Sequence, residues 1–299
     1  MVREIREDSS SGASQLTIRA AKIFLKLLEE RTGLRSVKKL AKTLAETRPS
    51  MPSVANMAHR INNLVEEQVS QGRDISEAIE DAVRIAISEY QNALRTVILN
   101  ASNEIQRYDS ILVHSYSSTA AAAIEKCRKL RVYVTESRPG YEGRRLAEKL
   151  ASKGHEVTLI VDAAASYIMD RNLVDAVVLG CDAILDDCSI ANKIGSKMIA
   201  LAAKDSGIPV NVVTDLWKAA VYGFSLEEHP PDEVYIGRAN VLALNPYFEI
   251  IPHRVIDFFI TERGVLGPQE LMDELREIWG RVVPRGGRRA KRLSFKHMR

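Results

Sequence analysis

Between residues 15 and 106, apolar positions recur at the three- and four-residue intervals that gather them on one side of a helix, with little sign of strand. Leu16, Ala20, Ile23, Phe24, Leu27 and Leu28 share the face of a first helix, which Gly33 is placed to end. Residues 37–46 fit a shorter helix. Arg48-Pro49-Ser50-Met51-Pro52 interrupts the pattern, because neither proline suits a helix interior. Helix resumes near Val54, stops at Gly72 and restarts at Ser76. Ile79, Val83, Ile87, Tyr90, Leu94, Val97, Ala101 and Ile105 lie on the inner side of that last helix.

The texture changes at Tyr108-Asp109-Ser110. Residues 111–113, 131–135, 157–161, 174–179, 210–213 and 255–260 are apolar runs too short for helices, and most are separated by helical segments. Such alternation predicts a parallel, doubly wound sheet. The runs 157–161 and 174–179 read as neighbouring strands buried on both faces. The expected organisation is an N-terminal helical domain over residues 1–107, an α/β sheet domain over 108–283, and a polar tail over 284–299.

In parallel sheets ligands sit beyond the carboxyl ends of the strands. Gly180-Cys181-Asp182 falls there, and Asn192-Lys193 precedes an apolar-periodic helix expected over residues 194–204. Helix amides and a lysine suit a phosphate, and the aspartate suits a hydroxyl or a proton. Equally, Asp182 could simply end a strand and Asn192 cap a helix. Ser115 follows a strand directly, but no GxSxG elbow surrounds it, so Ser115 and Ser118 read as ligand donors and His114 as packed. Arg138 either clamps a phosphate or pairs with Glu136. Arg48, before a proline, and Lys218, beyond a further strand, are candidate anion contacts beside simpler solvated roles. Cys181 reads as a small packed residue.

Composition narrows this picture. Of 299 residues, 45% are hydrophobic and 27% charged, ordinary for a globular chain, and no run suggests a membrane span or signal peptide. A cytoplasmic protein without membrane contact is expected. Three cysteines without a CxxC pair disfavour structural zinc and a disulfide framework. No GxGxxG or GxxxxGK[ST] follows a strand, so neither a cofactor nor a metal is expected. The net charge of +3 conceals seven Lys or Arg in the last fifteen residues, which leave the rest of the chain near −4. The body is therefore not a basic nucleic-acid domain, whereas the tail is either a solvated arm or an RNA or acidic-partner contact.

VYVTESRPGYEG (residues 132–143), VDAAASYIMDR (161–171), GCDAILDD (180–187) and ANKIGSKMIALAAK (191–204) resemble one family. It holds the alpha, beta and delta regulatory subunits of translation initiation factor 2B with their archaeal relatives. It also holds two isomerases, for methylthioribose 1-phosphate and ribose 1,5-bisphosphate. The resemblance spans about residues 14–275. It implies a helical N-terminal domain, a Rossmann-like C-terminal domain, and assembly through the latter into dimers or higher oligomers. The isomerases convert an aldose to a ketose with a cysteine and an aspartate at facing strand ends. Asp182 matches the aspartate, and Ser115, in His114-Ser115-Tyr116-Ser117, stands where the family has cysteine. The family's phosphate loop, Arg-Gly-Ala, corresponds to Ser11-Gly12-Ala13 without its arginine. Thr47-Arg48-Pro49, Asn192-Lys193 and Lys218 match further ligand positions. HSYS and VYVTES look more like the alpha subunit, while Asp182 is the isomerases' acid.

The resemblance leads to the expectation of a non-catalytic regulatory and assembly subunit with a pocket for a phosphorylated sugar or nucleotide. Gly12, Ala13, Arg48, Asn192, Lys193 and Lys218 would hold phosphate, Asp182 a hydroxyl, and Ser115, Ser117 and Ser118 would line the pocket. Its partners would be further copies of itself, initiation factor 2 subunits, and RNA through the tail. The alternative is a sugar-phosphate isomerase in which Asp182 works with Ser115 or with Cys181.

Overall fold

The computed structural model describes residues 2–8, 12–29, 33–237 and 241–282. The expected basic tail lies outside them. The described residues form two compact units. One holds those up to Gln91, Trp217–Ser225 and those from Met272 on; the other holds Asn92–Leu216 and Leu226–Leu271. Among the described residues no helix is long and apolar enough to cross a membrane.

The first unit is helical. Helix α1 (Val2–Glu7) precedes α2 (Ala13–Ile23), which buries Leu16, Thr17, Ala20 and Ala21 and tightens into a 3-10 turn over Phe24–Leu28. That turn is where the first helical run stops. Gly33 instead sits in extended backbone at the start of α3 (Leu34–Ala45), whose Val37, Ala41 and Leu44 are buried at helical spacing. Pro52 opens α4 (Pro52–Ser70) at its first position, where the missing N–H has no helical partner to lose. The Asp74 carboxylate accepts the Ser76 and Glu77 amides at 2.8 and 3.3 Å, starting the long α5 (Ile75–Ile105). Arg60 on α4 grips Glu89 on α5 through two bonds of 2.9 and 2.6 Å. Asn56 donates to the carbonyls of Trp217 and Ala219, and the Tyr90 ring meets Trp217 edge-on.

The second unit is the expected doubly wound α/β domain. Its strands are β1 (Ser110–His114), β2 (Arg131–Thr135), β3 (Glu156–Ile160), β4 (Ala176–Leu179), β7 (Val210–Val213), β9 (Phe258–Thr261) and β10 (Gly264–Leu266). They lie in the order β10-β9-β7-β4-β1-β2-β3, and only β10 is antiparallel. The end of α5, with α6 (Ser118–Ile124) and α7 (Glu142–Ser152), packs Val97, Ala101, Ile105, Ala121, Leu146 and Leu150 against one face of the sheet. Helices α8 (Ala165–Asp170) and α9 (Ser196–Asp205) pack on each other, and α9 also on β4 and β7.

Three expectations need correction here. The runs 157–161 and 174–179 are not neighbours, because the chain builds β2 and β3 outward from β1 and then returns to lay β4 on the other side of β1. Nor is β3 buried on both faces. It is an edge strand, with Leu159 in it and Val161 just past its end about half exposed (46% and 57%). Finally, Asn192 and Lys193 do not open a helix. They lie on β6 (Ile190–Lys193), the middle strand of a small antiparallel sheet between β5 (Ala183–Ile184) and β8 (Phe248–Ile251). The helix begins two residues beyond the expected start, after Gly195, whose φ of 99° makes the turn. The pairing partner β8, Phe-Glu-Ile-Ile, is a run of four residues in a stretch broken up by prolines, too short to stand out as a strand.

Gly143, in the first turn of α7, faces the end of β2 so closely that a Cβ there would overlap the Thr135 carbonyl oxygen. Gly143→Ala is expected to cost about 3 kcal/mol or more by forcing α7 off the strand. A denaturant midpoint unchanged from wild type would refute this packing account.

Two carboxylates follow neighbouring strands on the other side of the sheet, Asp215 after β7 and Glu262 after β9. Burial and then the Asp215 charge push the Glu262 pKa up to about 7, even though Glu262 accepts the Leu216 amide. A raised folded-state pKa means that the folded state holds a proton the unfolded chain has released. This group's contribution therefore falls as pH rises from the ordinary carboxylate range through 7, by about 3 kcal/mol in all. Glu262→Gln is expected to remove that decline, so its melting temperature should gain on wild type from about pH 5 to about pH 8. Parallel pH profiles for the two proteins would count against it.

Candidate active site

Strand β1 is paired on both sides, with β2 and with β4, and the direction of winding reverses between β1 and β4. Such a reversal leaves a crevice beyond the carboxyl ends of the two strands. His114 is opposite Leu179 in the register, so Ser115 leaves β1 beside the Gly180-Cys181-Asp182 that leaves β4. The close approach depends on Gly180, since a Cβ there would stand 2.7 Å from the Ser117 Cβ.

His114 is buried, and its ring links the elements. Nε2 lies 2.8 Å from the Ile194 carbonyl, which can only accept, so Nε2 carries the hydrogen. Nδ1 then accepts from Thr135 Oγ1 at 2.7 Å. Burial pulls the His114 pKa down and keeps the ring neutral. With both nitrogens engaged, His114 is packed as expected and is no base for its neighbour Ser115.

Ser115 and Ser137 both adopt left-handed backbone, with φ of 66° and 63°, a strained state for residues with a Cβ. Hydrogen bonds hold both. The Ser115 amide donates to Ser137 Oγ at 2.9 Å, and the Asp162 carboxylate takes the amides of Ser137 and Arg138 at 2.7 Å each. The Ser115 hydroxyl donates to Glu142 Oε1 at 3.2 Å. The same oxygen lies 2.8 Å from the Lys193 ammonium, which is almost wholly buried and rests 3.3 Å from the centre of the Tyr247 ring. Burial lowers the Lys193 pKa, and the Glu142 charge opposes that fall. Burial, then the charge of Glu142, raises the Tyr247 pKa, with Asp182 among the lesser contributors. Glu142, Asp182, Lys193 and Tyr247 thus act on one another around the same strand ends.

The other expected residues distribute as follows. Asn192 is buried and donates to Ser196 Oγ at 2.9 Å. Ser117 caps α6 by accepting the Ala120 amide, and Ser118 is the exposed first residue of that helix. The amides of Gly195 and Lys197 at the start of α9 are already taken by Glu249 Oε1 at 2.7 and 3.0 Å, so a carboxylate occupies the place at which a phosphate would meet those two amides. Arg138 does not pair with Glu136. It donates to the Tyr141 hydroxyl and the Val234 carbonyl, while Arg144 takes Glu136. Cys181 is buried with its thiol on the Ala183 carbonyl, and Cys127, Cys181 and Cys188 are in no disulfide. Gly12, Ala13, Arg48 and Lys218 belong to the first unit. There Arg48 Nη1 donates to the carbonyls of Ile5, Arg6 and Asp8, with the bond to Asp8 the shortest at 2.7 Å. Gly12 precedes α2, and Lys218 is buried.

Glu142 and Tyr247 were not anticipated. An acidic residue in the first turn of a helix satisfies the helix dipole, which is reason enough for Glu142 to pass as structural. Tyr247 sits in an unpatterned, proline-containing stretch. Sequence offers one signal: Tyr141-Glu142-Gly143 directly follows a strand-end loop.

Residues 9–268 match the Initiation factor 2 subunit family. The ribose 1,5-bisphosphate isomerase of Thermococcus kodakarensis is 30% identical over 94% of this chain and 94% of its own. Among solved structures, translation initiation factor eIF-2B from Pyrococcus horikoshii OT3 superposes with a TM-score of 0.77 at 26% identity, covering 91% of this chain and 97% of that one. The 5-methylthioribose 1-phosphate isomerase of the same organism does so with a TM-score of 0.70 at 25% identity, over 93% and 86%. The expectation of a non-catalytic translation regulator is corrected by these matches, because curated relatives alike over nearly the whole chain carry isomerase names. With the family match covering most of its length, the chain belongs to the initiation factor 2 subunit family.

Proposed function

We propose that this protein is an aldose–ketose isomerase acting on a phosphorylated pentose, with ribose 1,5-bisphosphate the first substrate to try. The observation that carries the proposal is the end-to-end similarity to the Thermococcus kodakarensis isomerase. Support also comes from the crevice. An isomerisation of this kind oxidises one carbon and reduces its neighbour within the same molecule, so it needs proton carriers and no redox partner. Asp182, half-buried beyond β4, is suited to move protons between sugar oxygens. Asn192 and the buried Lys193 are suited to hold the substrate's oxygens, with Ser117 and Ser118 at the rim. Ser115 takes the place of the family's cysteine, and an unactivated hydroxyl is a far weaker acid than a thiol. Cys181 is a poor substitute, since its thiol is spent on a backbone carbonyl inside the fold.

The reading includes self-association through the second unit. In its favour, the edge strand β3 exposes Leu159, Val161 is exposed just past its end, and the following α8 exposes Tyr167. In sedimentation velocity the wild type is expected to run as a dimer or larger, and Leu159→Glu with Val161→Glu as a smaller species. A monomeric wild type would remove this part of the proposal.

Phosphorus NMR of the protein with ribose 1,5-bisphosphate tests the activity. Ketose bisphosphate signals are expected to grow in, and Asp182→Asn should slow them by about 100-fold or more with little change in melting temperature. Sugar signals that stay unconverted under wild-type enzyme would defeat the proposal.

A further inference from the structure

We propose that Glu142 is the base that removes the C2 proton of the sugar, with the Ser115 hydroxyl, in the position of the family's thiol, reduced to orienting it. This inference rests on the isomerase reading. Its ground is the unequal use of the two Glu142 oxygens. Oε1 is doubly engaged, by Ser115 Oγ at 3.2 Å and by the Lys193 ammonium at 2.8 Å. Oε2 is buried and has no hydrogen-bond partner among the described residues. A buried acceptor left unmade is costly, and where it persists it calls for an occupant or a task. A bare acceptor oxygen on a carboxylate fixed at its other oxygen is what proton abstraction requires.

The surroundings of Oε2 fit that task. Gly140 lies in front of it, where a Cβ would stand 2.6 Å from Oε2 and 3.1 Å from the Tyr247 hydroxyl. Gly140 is itself exposed, so a residue without a side chain stands between this buried oxygen and solvent. The Lys193 charge and the face of the Tyr247 ring fix the other side. Ser115, held in left-handed backbone by Ser137, points its hydroxyl at the carboxylate. A serine there cannot itself cycle a proton near neutrality, but a carboxylate can.

The proton accounting closes without a co-reactant. Glu142 takes the C2 proton, the C2–H electron pair becomes the C1=C2 bond, and the bond from C1 to the ring oxygen breaks. Asp182, in its acid form, protonates the departing ring oxygen. In the second half, the enol O2–H gives its proton to Asp182 as the C2 carbonyl forms, and C1 takes the proton from Glu142. Both carboxyl groups end as they began, and the C1 phosphate ester is never cleaved.

The test uses ribose 1,5-bisphosphate deuterated at C2, following ketose formation by phosphorus NMR and deuterium release from C2, whether to C1 of the ketose or to water. Wild type is expected to do both. Glu142→Gln should lose about 100-fold or more in kcat and in deuterium release, with KM within about threefold. If that variant fails to fold because Lys193 has lost its partner, Glu142→Asp decides. It keeps the charge but withdraws the carboxylate by one methylene, and should lose at least about 30-fold in kcat at similar KM. Ser115→Ala should retain deuterium release with a loss of about tenfold. Glu142→Gln or Glu142→Asp within threefold of wild type would overturn the base assignment and leave the isomerase reading standing. So would Ser115→Ala without any release. A wild type that neither makes ketose nor releases deuterium would take down the isomerase reading, and this inference with it.

Discussion

A parallel sheet that is wound outward from one strand and then resumed on that strand's other side has one place where two adjacent strand ends are left without a crossover between them. In this chain the strand is β1, and the candidate chemistry is arranged around that gap. Ser115 leaves β1 on one side of it and Gly180-Cys181-Asp182 leaves β4 on the other. The small sheet β5-β6-β8 then follows the β4 end and brings Asn192 back beside Gly180 and Lys193 onto Glu142. The loop after β2 contributes Glu142 through the first turn of α7. Four separate segments meet because one winding decision was made.

The meeting has an energetic centre. An ammonium as buried as Lys193 has lost most of its hydration, and only an opposite charge and a polarisable face can replace it. Glu142 and Tyr247 supply these. Stranding either ion of such a pair typically costs about 3–5 kcal/mol, more than the pair gains over an apolar replacement. Arrangements of this kind are therefore poor devices for stability. They make sense where a charge has to be held in place and dry, which is a requirement of a reactive site.

How far the sequence discloses this depends on whether the signal is local. Helical periodicity gives the main helices of the first unit but not the later segments that join it, Trp217–Ser225 and the described residues from Met272 on, and strand–helix alternation gives the class of the second. It does not give strand order: the runs 157–161 and 174–179 are consecutive in sequence yet separated by β2 and β1, because adjacency is decided by the direction of winding and not by spacing. It misplaces Asn192 and Lys193 for a similar reason, as β6 owes its strand form to pairing with β8, whose Glu249 lies 57 residues beyond its partner Asn192, well outside any local window. Asp182 and Lys193 could be nominated from residue type and place. Glu142 could not, because its local helix-start role accounts for it fully, and its contacts with Ser115 and Lys193 are made across the fold.

Gly143 adds a geometrical lock. It fixes which turn of α7 rests against the Thr135 carbonyl, and Glu142 is the residue immediately before it. Inserting one residue between Glu142 and Gly143 would swing the carboxylate by about 100° around the helix axis relative to that contact, away from the crevice. Strand-to-helix loops are ordinarily where a fold absorbs changes in length most freely. Here the join of the loop after β2 to α7 acts as a ruler: the spacing of Glu142 from Gly143, as much as the residue types, sets the direction in which the carboxylate faces.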